Sequence, residues 1–222
     1  AFGPNAAAAR IEGSKVFSKN LMKKYGIPTA EYEVFDDPTK VLSYIQAKGE
    51  YPTVIKADGL ALGKGVIIAE SEEQARTAIS DIMESKVFGE SGNKVVVEEF
   101  LTGPEVSVLA FTDGKTVVPM VSSMDHKRAH DGDKGLNTGG MGTISPNPHY
   151  TDELSLECMK TIFEPTIKAM ASEGCPFKGC LYFGLMMTPK GPKVIEYNAR
   201  FGDPEAQVVL PRLKTPLIDV VE

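Results

Sequence analysis

The chain has 222 residues, 42% hydrophobic and 24% charged, enough apolar material for one large core or two smaller ones. Its 24 Lys and Arg stand against 30 Asp and Glu, a net charge of -6, which excludes a general basic field for nucleic acid or an anionic membrane and leaves any polyanionic ligand to clustered lysines. Three cysteines without a C-x-x-C pair, Cys158, Cys175 and Cys180, argue against a disulfide framework or structural zinc and fit a reducing, cytoplasmic setting.

No apolar run approaches the ~18 residues of a membrane span, and Ala1 to Ala9 lacks the cationic start and long apolar core of a signal peptide. The opening A-F-G-P-N-A-A-A-A starts in mid-pattern without methionine, and the chain stops at Glu222 as a helix gets under way. The expectation is a piece of a longer polypeptide.

In chain order, Ser14 to Tyr25 reads as a helix stopped by Gly26 and Pro28, and Glu31 to Phe35 alternates like a strand. Pro38 to Lys48 is a second helix between the cap Asp37 and the stop Gly49. Thr53 to Ala57 is a short strand, followed by a glycine loop from Gly59 to Gly65 and a strand from Val66 to Ala69. A helix then begins at Ser71, whose S-x-x-Q start with Gln74 resembles a capping box. Lys94 to Glu99, Val106 to Thr112 and Lys115 to Ser122 read as strands of one small sheet, the last two joined at the hairpin signal Asp113-Gly114.

Asp125 to Tyr150 is polar and aperiodic, with seven Gly or Pro between Gly132 and Pro148; a loop of that length inside a domain is usually functional or disordered. Thr151 to Ser172 reads as a long helix, Gly179 to Thr188 as a strand, and Lys193 to Tyr197 as its partner across a Pro189-Lys190-Gly191 turn. The expected division is 1–50 as opening helices and strand, 51–121 as a small lid subdomain, and 122–222 as a larger catalytic subdomain.

Four strings carry chemistry. In I-E-Y-N-A-R-F-G-D-P, Ile195 to Pro204, strand alternation puts Glu196 and Asn198 on one face with Arg200 next. Two oxygen ligands beside a fixed cation suit Mg2+ carrying a polyphosphate, the reading set against an ordinary solvated strand. V-I-K-A-D-G-L-A-L-G-K-G-V, Val54 to Val66, fails the Walker A spacing and is followed by a strand rather than a helix. Its backbone amides can still wrap phosphate oxygens, with Lys56 and Lys64 supplying charge; the alternative is a plain glycine hairpin.

V-V-V-E-E-F-L-T-G-P-E, Val95 to Glu105, reads as a hinge whose main chain from Glu98 to Leu101 meets an adenine edge while Glu105 reaches ribose hydroxyls. D-H-K-R, Asp125 to Arg128, and N-T-G-G-M-G, Asn137 to Gly142, offer close backbone approach to a small anion, or are a flexible surface loop.

With F-G-P (Phe2 to Pro4), E-G-S-K (Glu12 to Lys15) and the extension to Glu205, these strings cover nearly the whole chain. Their order resembles the ATP-grasp superfamily and, within it, the phosphoribosylamine–glycine ligase family (glycinamide ribonucleotide synthetases). The resemblance implies an α+β ATP-grasp fold of two subdomains with ATP in the cleft between their sheets. It also implies glycine activation by ATP to an acyl phosphate that 5-phosphoribosylamine attacks, in purine biosynthesis. No protein nucleophile is required, since such phosphoryl transfer rests on positioning and charge stabilisation.

Carried onto this chain, the family pattern puts Lys15 and Lys56 on the ATP phosphates, with Gly59, Gly63, Lys64 and Gly65 over them. Glu98, Glu99, Phe100 and Leu101 fall at the adenine and Glu105 at the ribose. Glu196 and Asn198 fall on Mg2+ (or Mn2+), and Arg200 on the transferring phosphoryl group. Asp203, Asp125, Lys127, Arg128, Asn137, Thr138, Gly139 and Gly140 are the expected contacts for glycine and the phosphoribosylamine. The strand 181–188 lacks the further acidic metal ligand many ATP-grasp enzymes carry. His126, His130 and His149 are not expected to share a metal. The resemblance implies flanking domains, and the expectation is a monomer whose charge recruits neither nucleic acid nor membrane. An ATP-grasp ligase for another carboxylate and amine, or an ATP-binding module that does not catalyse, are the competing readings.

Overall fold

The computed structural model describes residues 2–61, 65–132 and 134–222. Two compact units emerge: a smaller one, Glu12–Asn20 with Ala30–Leu101, and a larger one, Ala1–Ile11 with Leu21–Thr29 and Thr102–Glu222. Two helices, α1 (Ala6–Gly13) and α2 (Lys15–Tyr25), contribute residues to both units. The first was not expected from the alanine run; Asn5 caps it by accepting the Ala8 N–H at 2.9 Å.

The smaller unit strings β1 (Tyr32–Phe35), α3 (Pro38–Lys48), β2 (Thr53–Ala57), β3 (Val66–Ala69), α4 (Glu72–Ile79) and β4 (Val95–Glu99) into an antiparallel sheet of order β1-β4-β2-β3. Helix α3 obeys its local signals. Asp37 accepts the N–H groups of Thr39 and Lys40 at 2.8 and 3.3 Å, Pro38 opens the first turn, and Gly49 closes the helix at φ +62°, donating to Ile45 O. Asp37→Ala should therefore cost about 1 kcal/mol of stability in chemical denaturation. At α4, Ser71 Oγ accepts the Gln74 N–H, while Gln74 Oε1 accepts from Glu70, one residue ahead of the usual capping-box donor. Val41, Ile45, Ile55, Ala75, Ile79, Ile82, Val95 and Val97 form the core between these helices and one face of the sheet.

The larger unit holds β5 (Glu105–Thr112), β6 (Val117–Pro119), β7 (Met124–Asp125), β8 (Arg128–His130), β9 (Lys134–Asn137), β10 (Thr143–Ile144), α5 (Asp152–Cys158), α6 (Glu164–Ser172), β11 (Gly179–Thr188), β12 (Gly191–Asn198), α7 (Ala206–Val209) and α8 (Leu217–Val221). Its main sheet has the order β12-β11-β5-β6. The expected single sheet of the strands from 94 to 122 is thus corrected: β5 pairs along its length with β11, not with β4. The boundary between the two units falls after Leu101, and the first 50 residues are shared between them.

The strand expected over 115–122 is only Val117–Pro119. Lys115 and Thr116 N–H groups both bind Asp113 Oδ1 in the turn, and Pro119 has no N–H to give the ladder. Beyond it the Met120 N–H still donates to Leu109 O, and Ser123 exchanges N–H···O bonds with Ser107. The polar stretch 125–150 is also more ordered than expected, containing the ribbons β7–β10 and β8–β9.

The long helix is present from Asp152 to Ser172, interrupted by a π turn at Met159–Phe163 immediately before Pro165, which cannot donate to the preceding turn. It covers one sheet face: the Phe163 and Phe183 rings lie 4.5 Å apart, Tyr197 stands 5.5 Å beyond, and its hydroxyl meets Thr166 Oγ1 at 2.9 Å. All three cysteines are free and buried, and burial pushes the Cys158 and Cys180 thiols up to about 11 and about 12. Among the described residues no helix is long and apolar enough to cross a membrane.

Candidate functional site

In the smaller unit, Asp58 ties two of the recognised strings together. Its Oδ1 accepts from Ser14 Oγ at 2.9 Å and from the Val16 N–H at 2.8 Å, and its carbonyl accepts the Lys15 N–H at 3.0 Å. Lys15 Nζ donates to Gly59 O at 3.1 Å, so E-G-S-K stands at the foot of the glycine loop. The other foot is closed by the Ala57 N–H on Gly65 O at 2.8 Å. Gly63 and Lys64 lie outside the described residues.

Lys56, central in the sheet, is 5% exposed, and its Nζ lies 3.0 Å from Glu98 Oε1. A residue no motif singled out, Lys19, is 2% exposed and places its Nζ 2.9 Å from Glu98 Oε2. The Glu98 side chain is therefore enclosed by two ammonium groups. Its carbonyl accepts from Thr53 Oγ1, and the Glu99 N–H donates to Glu31 O, so the main chain of both is drawn into the sheet. Phe100 and Leu101 follow the strand's end.

In the larger unit, β12 owes its polar face to a bulge. Gly184 pairs with Glu196 but Leu185 with Val194, leaving Ile195 as the extra residue. Pro192 and Val194 are buried before the bulge, Tyr197 after it. The extra residue shifts the alternation so that Glu196 and Asn198 face away from Tyr197 and the helices. Gly184, opposite Glu196, makes room for it, since a Cβ there would stand 3.1 Å from Glu196 Cγ. Arg200, past the strand, donates to Phe201 O at 2.9 Å, and Asp203 Oδ1 accepts from Gln207 at 3.2 Å.

The D-H-K-R and N-T-G-G-M-G strings are one extended hairpin. His126 N–H donates to Gly142 O, Met141 N–H to His126 O, and both Thr138 N–H and Oγ1 to Lys127 O; Arg128 pairs through its backbone with Asn137. Gly139 is exposed in the same turn. At Gly140, φ is +122°, and a Cβ would meet Pro204 Cδ at 2.8 Å and Asp125 Oδ1 at 3.0 Å, bringing the hairpin against R-F-G-D-P-E. Lys127 Nζ lies 3.2 Å from Glu105 Oε2. Burial opposes its charge, but Glu105, Glu196 and Asp125 outweigh that and hold it above the usual lysine range.

A model of phosphoribosylglycinamide synthetase, ATP-grasp (A) domain, matches residues 13–206. The chain belongs to this family. It is 54% identical over 221 residues to the phosphoribosylamine–glycine ligase of Halalkalibacterium halodurans, covering 100% of this chain and 51% of that protein. It is 50% identical over 221 residues to the human trifunctional purine biosynthetic protein adenosine-3, covering 100% of this chain and 22% of that protein. The crystal structure of phosphoribosylamine–glycine ligase from Thermotoga maritima superposes with a TM-score of 0.87 at 41% identity, covering 95% of this chain and 53% of that one. The chain thus spans about half the length of these ligases, and its fold is the α+β ATP-grasp fold the sequence implied.

ATP-grasp ligases use ATP, typically with a divalent cation, and the donor set of the larger unit fits such an ion. Glu196 and Asn198 offer two hard oxygen donors on one face of the strand. Asp125 Oδ1 is buried with no hydrogen-bond partner among the described residues, and the Lys127 ammonium stands in the field of three carboxylates as a cation already accommodated there. Burial, with Glu205 and Glu105 nearby, holds the Asp125 carboxyl above its usual range.

Sequence reasoning also missed Glu205, though it ended a recognised string. It is 4% exposed, and its Oε1 accepts from Tyr182 OH at 3.1 Å and Ser107 Oγ at 3.4 Å. These two hydroxyls lie 2.7 Å apart. The network anchors the turn after Arg200 to β5 and β11. Removing the phenol by Tyr182→Phe leaves the buried carboxylate short of a donor, and should cost about 1–3 kcal/mol in denaturant unfolding.

Proposed function

We propose that this chain is the nucleotide-binding and phosphoryl-transfer portion of an ATP-dependent carboxylate–amine ligase that joins glycine to 5-phosphoribosylamine in purine biosynthesis. A glycine carboxylate oxygen bonds to the γ-phosphorus as the bond to the β-phosphate oxygen breaks, giving glycyl phosphate and ADP. The amine then attacks the acyl carbon, phosphate leaves and a proton is lost, giving glycinamide ribonucleotide. The observation that carries this reading is the family match over residues 13–206, with Glu196 and Asn198 turned to one face of β12.

In this reading Lys15 and Lys56 bind the phosphates under the loop of Gly59, Gly63, Lys64 and Gly65. The main chain from Glu98 to Leu101 meets the adenine, and Glu105, steadied by Lys127, meets the ribose. Glu196 and Asn198 hold Mg2+ or Mn2+, which when bound neutralises charge on the phosphate oxygens. Arg200 stabilises the transferring phosphoryl group. Asp125, Lys127, Arg128, Asp203 and the Asn137 to Gly140 turn receive glycine and the phosphoribosylamine. The protein is a cytoplasmic monomer, engages neither nucleic acid nor membrane, and works with flanking domains of the kind that extend its relatives.

The test is ADP release against a panel of amino acids and amines, using this chain and a version extended to the length of its relatives. Glycine-dependent release requiring phosphoribosylamine is the expected result. Turnover with a different pair, or nucleotide binding without turnover in both versions, overturns the assignment.

A further inference from the structure

The Lys19–Glu98–Lys56 cluster places two ammonium groups and one carboxylate in the interior, each side chain no more than 6% exposed. The two lysines are not equivalent. Lys19 hydrogen-bonds Glu98 and also lies 5.7 Å from the centre of the Tyr32 ring, whose hydroxyl is fixed on Asn20 Oδ1 at 2.9 Å. Glu98 Oε1, on the Lys56 side, has no hydrogen-bond partner among the described residues even though Lys56 Nζ is 3.0 Å away, so that contact is coulombic and off-axis.

We infer that Lys19 is a positioning residue for nucleotide binding: it is the resident counter-ion of Glu98, and by neutralising that carboxylate it releases Lys56 to engage a triphosphate. The inference rests on the proposed role of Lys56 at the phosphates. Without the charge on Lys19, Glu98 holds Lys56 as its sole strong counter-ion, and nucleotide binding has to break a buried ion pair. Burial pushes the Lys19 ammonium down to about 8 despite Glu98, with Lys56 adding to the depression and Glu99 opposing it. The other titratable group facing it, Tyr32, is raised by burial and stays neutral through that range. Raising pH through about 8 should thus discharge Lys19 and return Lys56 to Glu98.

The experiment is calorimetric titration of the chain with a non-hydrolysable ATP analogue and with adenosine, in wild type, K56M, K19M, E98Q and K19M/E98Q. K19M should weaken the analogue about tenfold or more while adenosine affinity stays within twofold, and E98Q and K19M/E98Q should bind the analogue equally. Analogue affinity of the wild type should fall as pH rises from 7.5 to 9.5, and that fall should vanish in E98Q. Wild-type affinity in K19M, or an equal loss in the E98Q background, overturns the inference. If K19M does not fold, the pH series decides: a flat profile, or one that persists in E98Q, overturns it. K56M binding the analogue as wild type does instead overturns the phosphate role of Lys56, so the two failures are distinguishable.

Discussion

Glu196→Ala in the extended enzyme should abolish metal-dependent ATP turnover. The residue is half-buried on the exposed side of the Ile195 bulge, packed over Gly184 rather than in the aromatic layer of Phe163, Phe183 and Tyr197, so its loss spares the core. What it removes is the only carboxylate that β11 and β12 present beside Asn198. Residues that merely orient metal ligands cost 10–100-fold when lost, and a ligand itself should cost at least ~100-fold. A coupled ADP assay across a metal titration, with Mn2+ binding followed by electron paramagnetic resonance, checks both halves. Activity near wild type removes the metal assignment.

Lys56→Met should lower kcat/KM for ATP by about 10²–10³, the ~2.7–4 kcal/mol lost when a preorganised charge-stabilising donor is deleted. The fold should survive, because the change leaves Lys19 and Glu98 as a one-to-one pair 2.9 Å apart rather than an isolated buried charge. Methionine also keeps the length of the buried stem between Ile55 and Ala57. Steady-state kinetics with unfolding curves separates the two effects: a variant that folds and turns over normally would show that Lys56 serves the sheet alone.

Legibility in the sequence followed the range of the interactions. Helix α3 was readable to the residue because Asp37, Pro38 and Gly49 act within a turn of themselves. The strands at 53–57 and 66–69 were readable from β-branched runs beside Pro52 and Gly65, and that at 179–188 from an apolar and aromatic run closed by Pro189. Sheet membership of β5 was not, since its partner β11 lies some seventy residues onward and nothing local distinguishes that pairing from one with β4. The ribbons within 124–144 were hidden for a similar reason: they rest on contacts such as Thr138 with Lys127 across a glycine turn, which leave no hydrophobic period.

The candidate site divided the same way. Lys56, Glu196 and Asn198 sit in recognisable strings, whereas Lys19 is one of four lysines in the helix K-V-F-S-K-N-L-M-K-K-Y, and nothing in its neighbours announces that it alone is turned inward to a carboxylate. Glu205 was equally silent, as its burial depends on hydroxyls from β5 and β11.

The single surplus residue at Ile195 makes length itself a component of the site. Inserting one residue between Ile195 and Glu196, with the single bulge kept, would reverse the parity of the strand beyond it, drive Glu196 into the apolar layer and push the tyrosine ring into water. Such an insertion would withdraw the acid–amide pair from the exposed face with every letter of it retained.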